Sequence, residues 1–161
     1  MNIRAEELIE KLELVPHPEG GYYREMYRSE GKVSSPWNKG IRNAMTDIYF
    51  LLTEGQVSRF HKVAHDELWN FYEGAPLELI EIEMASLKVS KNTLGISTNI
   101  PRYKHLIKGD NWQAAYSTGD YSLVGCTVAP GFEFSDFEFL KGHKDINRIN
   151  DINNPELNKL I

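Results

Sequence analysis

The stretch GQVSRFHKVAHDELWNFYEG, residues 55–74, holds two apolar runs with two-residue alternation, joined by a short polar turn. Val57–His61 and Glu67–Tyr72 therefore read as two consecutive strands. His61 falls near the end of the first strand and Glu67 near the start of the second. In an antiparallel pair such residues lie side by side on one face. A neutral imidazole next to a carboxylate can ligate a divalent metal, or act as a general base with its orienting partner. The same pair also occurs as a plain surface contact, so spacing alone leaves the chemistry open. Trp69 and Phe71 share the phase of Glu67 and face wherever it faces, as pocket wall or as core.

Outward from this pair the text is that of a β protein. Short runs rich in Val, Ile, Tyr, Phe and Trp alternate with Gly, Pro, Asn and Asp. Further strands are expected at Tyr22–Tyr27, Thr46–Leu52, Leu77–Met84, Leu87–Val89, Ile96–Thr98, His105–Ile107, Trp112–Tyr116, Leu123–Val128 and Glu133–Phe139. Ala75-Pro76 and Lys91-Asn92-Thr93 read as turns, and the polar Lys39–Ala44 as a loop. In LELIEIE, residues 77–83, the alternation predicts one wet and one packed face. Ahead of the strands, Leu8, Ile9 and Leu12 recur at helical spacing with Glu6, Glu7, Glu10 and Lys11 opposite, a helix that Pro16 and Pro18 stop. At the other end Asn154-Pro155 caps a last short helix. Many short strands without long intervening helices predict an all-β sandwich or closed barrel. With no repeat or linker, residues 1–161 read as a single domain.

Composition narrows the partners. The 161 residues are 41% hydrophobic and 25% charged, as in a soluble globular chain. A net charge of -5 argues against nucleic acid, which needs a concentrated basic surface. No run approaches the roughly 20 apolar residues of a membrane span, so no membrane partner is expected. MNIRAEELIE lacks the basic-then-apolar pattern of a signal peptide, and the expected location is the cytoplasm. Cys126 is the single cysteine and reads as a buried, inert thiol in SLVGCTV.

Gly55, His61, Glu67 and Gly74 stand at the spacing of the first cupin motif, G-x5-H-x-H-x(3,4)-E-x6-G. Val63 occupies the second His position, and His65 comes two residues late. The second cupin motif resembles Lys108–Gln113, with Gln113 in the place of its His. Over nearly the whole chain, LELVPHPEGGYYREMYRS, SRFHKVAHDELWNFYEGAPLEL, LVGCTVAPGFEFSDFEFL and the closing NPELNKLI are similar to a cupin branch of largely unassigned function, often described as epimerase-like. The resemblance implies a double-stranded β-helix (a jelly-roll barrel) with an N-terminal helix and a short C-terminal one, a small-molecule pocket around His61, and a homodimer.

Distant relatives of that branch include deoxynucleoside-diphosphate-sugar epimerases. Arg59-Phe60-His61 and Gly21–Glu25 resemble their catalytic and substrate-binding strands. That likeness makes His61 the base in a proton abstraction beside a carbonyl, with Tyr or water as the acid and Asp136 or Asp120 as the orienting carboxylate. Ligand contacts are expected from Arg24, Arg59, Trp69, Phe71, Trp112 and Gln113, and catalysis from His61 with Glu67. A divalent metal (Fe, Mn, Ni or Zn, as in a cupin oxygenase) would take His61 and Glu67, with Gln113 or His65 as a further ligand. The third reading is a ligand sensor without chemistry. His17 with Glu19 and Arg24 lines the pocket mouth, or His17 only caps the helix end; Arg24 serves an anionic ligand or a cross-strand salt bridge. His65 is expected as an exposed turn residue, and His105 and His143 as solvated.

Overall fold

The protein is described here by a computed structural model covering residues 2–96 and 100–161. Helix α1 (Ile3–Lys11) is capped by the Asn2 side chain and ends at Leu12, ahead of the prolines. Glu13, at φ 53°, then turns the chain out of the helix. The strands that follow are β1 (Val15–Pro16), β2 (Tyr22–Arg28), β3 (Lys32–Ser34), β4 (Ile41–Asn43), β5 (Thr46–Thr53), β6 (Val57–Val63) and β7 (Asp66–Gly74). After them come β8 (Leu77–Glu83), β9 (Lys88–Leu94), β10 (Lys104–Ile107), β11 (Trp112–Ser117), β12 (Tyr121–Ala129) and β13 (Phe137–Phe139). Helices α2 (Ile146–Asn150) and α3 (Pro155–Asn158) close the chain, α3 with the expected Asn154 cap.

A six-stranded sheet of order β1-β2-β5-β12-β7-β10 faces a five-stranded sheet of order β13-β6-β11-β8-β9. Between them lies the interior core. Phe50, Leu52, Trp69, Val124 and Cys126 project from the first sheet and Leu77, Leu79, Leu94 and Ala115 from the second. This is a double-stranded β-helix. Consecutive strands β6 and β7 lie in different sheets, so they are not the antiparallel pair expected from residues 55–74. His61 and Glu67 approach each other across the barrel rather than along one face.

Both outer faces are covered. Ala5, Leu8 and Leu14 pack on Leu51 and Leu123 outside the six-stranded sheet. Leu140, Ile149, Leu157 and Leu160 pack on Phe60, Ile80, Ile82, Trp112 and Ala114 outside the other. Strand β8 therefore has no broad wet face. Leu77 and Leu79 point into the barrel, while Ile80 and Ile82 meet the C-terminal segment.

Other departures have local causes. Lys91-Asn92-Thr93 lies within β9, an edge strand whose polar residues pair with β8. Part of the expected loop at 39–44 is β4, which pairs with β3 as a separate hairpin. Of the expected strand Glu133–Phe139, residues Phe134–Asp136 form one 3-10 turn and only Phe137–Phe139 is strand. The strand expected at Ile96–Thr98 lies partly outside the described residues. Among the described residues no helix is long and apolar enough to cross a membrane.

The turn between β1 and β2, His17–Gly21, is drawn tightly against β6. Gly20 has φ 115°, and a Cβ there would stand 2.1 Å from the Val57 carbonyl oxygen. Gly20→Ala is therefore expected to cost about 2–4 kcal/mol, read as a lower urea midpoint. An unchanged midpoint would show that the turn is free to move.

Candidate functional site

One end of the barrel encloses a cavity of about 290 Å3. Tyr23, Ile48, Val63, Val128, Phe132, Phe134 and Phe137 form its apolar walls. His17, Glu19, His61, Glu67 and Cys126 supply its polar groups, and Arg24, Arg28 and three glutamates also line it. These five polar groups come from four segments of chain that the fold brings together. β6 carries His61, β7 Glu67 and β12 Cys126, while the β1–β2 turn carries His17 and Glu19.

Glu67 is held from behind. The Gln113 amide donates a very short hydrogen bond to its Oε2, and Trp69 Nε1–H donates to Gln113 Oε1 at 2.8 Å. Gln113 sits directly opposite His61 in the β6–β11 register. Burial pushes the Glu67 carboxyl above its ordinary range; His61 opposes that shift and Glu19 adds to it. Burial likewise pushes the Cys126 thiol well up, so the sulfur is present as a neutral thiol.

His61 is fixed at one nitrogen. Its Nδ1 lies 2.8 Å from the Arg59 carbonyl oxygen, which can only accept, so Nδ1 carries the proton. The ring stacks on Phe137, with centroids 5.1 Å apart and planes 20° off parallel. Glu19 Oε2 stands 3.1 Å from the same Nδ1, and Ser58 Oγ–H donates to Glu19 Oε1 at 2.9 Å. Burial lowers the affinity of His61 for a second proton, against the pull of Glu67. Burial pushes the Glu19 carboxyl up to about 7, with His17 and Ser58 opposing.

Of the residues singled out in the sequence, His17, Glu19, Arg24, His61 and Glu67 line this cavity. Trp69 and Gln113 stand behind Glu67 rather than in the lining. Phe71 packs on the interior core, with its ring against Gly95. Trp112 faces the other way, as strand alternation requires of the residue next to Gln113. It is buried under the C-terminal segment, beside His143 and with Nε1–H towards Asp145. Arg59, two residues before His61, is exposed because a bulge in the β6–β11 register breaks the alternation, and it reaches the Pro18 carbonyl. Arg24 pairs with Glu13 at 2.6 Å.

His65 is buried, contrary to expectation. Ser35 Oγ lies 2.8 Å from its Nε2, and Trp37 packs on its ring. Asp136 is taken by Arg42, at 2.6 and 2.7 Å, and Asp120 by Asn2, so neither orients His61. Glu19 occupies that position instead. His105 and His143 also have partners, Glu81 at 3.2 Å and Glu138 at 3.0 Å. The signal for His17 and Glu19 was the HPEGG turn itself, whose paired glycines allow a close backbone approach.

A family model described as "Cupin superfamily (DUF985)" matches residues 6–140. The chain belongs to the cupin superfamily. A hypothetical protein from Leishmania major is similar to this cupin at 33% identity, over 83% of this chain and 85% of that one, with a TM-score of 0.75. Protein SO0799 from Shewanella oneidensis shares 34% identity over 97% and 96% of the two chains, with a TM-score of 0.83. The uncharacterized protein YML079W of Saccharomyces cerevisiae is 27% identical over 89% of this chain and 79% of its own length.

The donor set of this cupin does not fit a divalent metal. Gln113 has its carbonyl oxygen on Trp69 and its amide nitrogen on Glu67. Val63 offers no donor, and His65 is engaged by Ser35. Among the described residues no three His, Cys, Asp or Glu side chains are grouped to hold an ion. His61 and Glu67 share the cavity with His17, Glu19 and Cys126, but among the described residues these do not form a three-ligand group of the kind catalytic zinc takes.

Glu19 gives a stability test of this geometry. Its carboxyl binds a proton more tightly folded, at about 7, than at the ordinary value of 4.5. Folding stability attributable to it therefore falls as pH rises from 4.5 towards 7. The shift is worth ~3 kcal/mol. Glu19→Gln removes this dependence. Urea unfolding should show the variant gaining on the native protein by up to ~3 kcal/mol between about pH 5 and about pH 8. A difference that does not change with pH would contradict a buried, neutral Glu19.

Proposed function

We propose that the protein is an acid–base isomerase or epimerase acting on a small hydroxylated carbonyl compound, with His61 as its base. The observation that carries this reading is the fixed tautomer of His61. With Nδ1–H donated to the Arg59 carbonyl, Nε2 is left as a bare lone pair on a neutral ring lining the cavity. That nitrogen takes the proton from the carbon beside the carbonyl. The C–H electron pair forms the carbon–carbon double bond of an enol, and the carbonyl oxygen draws a proton or hydrogen bond from Glu67, whose proton affinity burial raises. Return of a proton to carbon, at the same or the neighbouring position, completes the isomerisation. Glu19 Oε2, 3.1 Å from Nδ1, is placed to accept a hydrogen bond from the imidazolium formed on the way.

Cavity size supports a compact substrate. An apolar cavity of ~150 Å3 holds one benzene, so this one holds a molecule of about a dozen non-hydrogen atoms. A monosaccharide-sized ring fits that space, and the diphosphate of a nucleotide sugar exceeds it. The apolar walls favour a ligand with one hydrophobic side, and Arg24 offers a contact at the cavity lining.

The test is solvent deuterium uptake, followed by proton NMR, across a panel of ketoses, hydroxyketones and aryl hydroxyketones in heavy water. Exchange is expected at the carbon next to the carbonyl, and His61→Ala should reduce it at least 100-fold, since general-base catalysis contributes 10²–10⁴-fold. Ligands that raise Tm without any exchange would overturn the reading in favour of a binding module.

Self-association belongs to the same reading. Exposed Met26, Tyr27, Val33, Trp37, Ile41 and Met45 fall within one stretch of chain, an unusual concentration of apolar surface. Sedimentation at micromolar concentration should give the mass of two chains, and a monomer would contradict the homodimer.

A further inference from the structure

The HPEGG turn brings a second imidazole to the cavity, and main-chain groups fix its tautomer opposite to that of His61. His17 Nδ1 lies 3.3 Å from the Glu19 backbone N–H. A peptide N–H can only donate, so Nδ1 is the acceptor and the ring proton sits on Nε2. His61 is the mirror case, because its Nδ1 meets a carbonyl oxygen and holds the proton. Both rings line the same cavity. One therefore offers a lone pair at Nε2, the other an N–H.

The turn that achieves this is built, not incidental. His17 N–H bonds to the Gly21 carbonyl and Gly20 N–H to the His17 carbonyl, each at 3.0 Å. Arg59 N–H holds the Glu19 carbonyl at 3.1 Å, which anchors the turn to the strand carrying His61. Tyr23 packs edge-on to the His17 ring at 4.5 Å, and Phe134 stacks near it at 6.4 Å. Burial holds His17 below its ordinary proton affinity, so the ring is neutral near neutral pH.

We propose that His17 is a catalytic hydrogen-bond donor whose Nε2–H binds the ligand oxygen on which negative charge develops while His61 Nε2 takes the neighbouring proton. The proposal rests on the acid–base reading of the cavity. A neutral imidazole is suited to the task, since it donates to an enolate oxygen without trapping it as a stable ion pair. No atom leaves the site. The proton moves from carbon to His61 and back, and the His17 proton is shared with the oxygen and then recovered.

Two measurements decide it. Nitrogen-15 histidine NMR of the native protein near neutral pH should show His61 protonated at Nδ1 and His17 at Nε2. The same tautomer on both rings, or a cationic His17, would overturn the proposal without reference to any substrate. On whichever compound shows deuterium exchange, His17→Phe should lower the exchange rate 100-fold or more, as loss of one such donor does elsewhere. His17→Gln, which keeps an N–H, should recover most of it with KM little changed. Full exchange in His17→Phe with none in His61→Ala would refute the role of His17 and leave His61 as base. Exchange that survives His61→Ala would instead refute the acid–base reading itself.

Discussion

Ionisable groups buried together in a low-dielectric chamber must find partners or give up their charge, and the site of this cupin is organised by that requirement. Glu19 and Glu67 line a largely apolar cavity, and no lysine or arginine reaches either among the described residues. Each is pushed towards its neutral form by loss of water, and each retains polar contacts from Ser58 or Gln113. The imidazoles of His17 and His61 are held neutral by the same cause. The chamber thus holds four proton-bearing groups close to electrical neutrality, poised to exchange protons with a ligand rather than to bind it by charge.

The fold supplies this by using its two sheets differently. Glu67 and its supports come across the barrel, with Trp69 on the six-stranded sheet and Gln113 on the five-stranded one. This arrangement spends the amide that would otherwise be a metal donor on positioning a carboxyl. Beside it, the β1–β2 turn inserts His17 and Glu19 against β6. The aromatic segment Phe132–Phe137 closes the wall, tied down by Asp136 to Arg42 and by Arg28 to the Phe132 carbonyl and Glu133. Walls and floor are therefore held by contacts outside the cavity, which leaves its interior groups available to a ligand.

Much of the barrel was legible because short runs rich in β-branched and aromatic residues, bounded by turn residues, mark β2, β5, β6, β7, β8, β11 and β12. What was not legible depended on coverage. Ile80 and Ile82 look like the outer face of a wet sheet until the C-terminal segment is placed over them. His65 reads as a turn residue until Ser35 and Trp37, thirty and twenty-eight residues earlier in the chain, fold onto it. β9 and β4 are polar because they are marginal strands with little to bury, so composition alone assigns them to turns. His61 and Glu67 were found by motif spacing. Glu19 was not taken as the partner of His61, because no periodic rule links residue 19 to residue 61, and the expectation of an aspartate pointed to Asp136 and Asp120. The alternation rule places Trp112 outside the barrel once Gln113 is inside, whereas Arg59 shares the phase of His61 and is turned out by the bulge between His61 and Ser58. Motif resemblance had grouped them with the site.

The account turns on carboxyl groups that keep their protons where solvated glutamates have lost them. Infrared spectroscopy reads this directly through the stretching band of a protonated carboxyl, which ionised glutamates lack. Near pH 6 the native protein should show such a band, and Glu19→Gln should lose it. A spectrum with no protonated carboxyl at that pH would mean that both groups are ionised in the resting protein, and the neutral acid–base chamber described here would not exist.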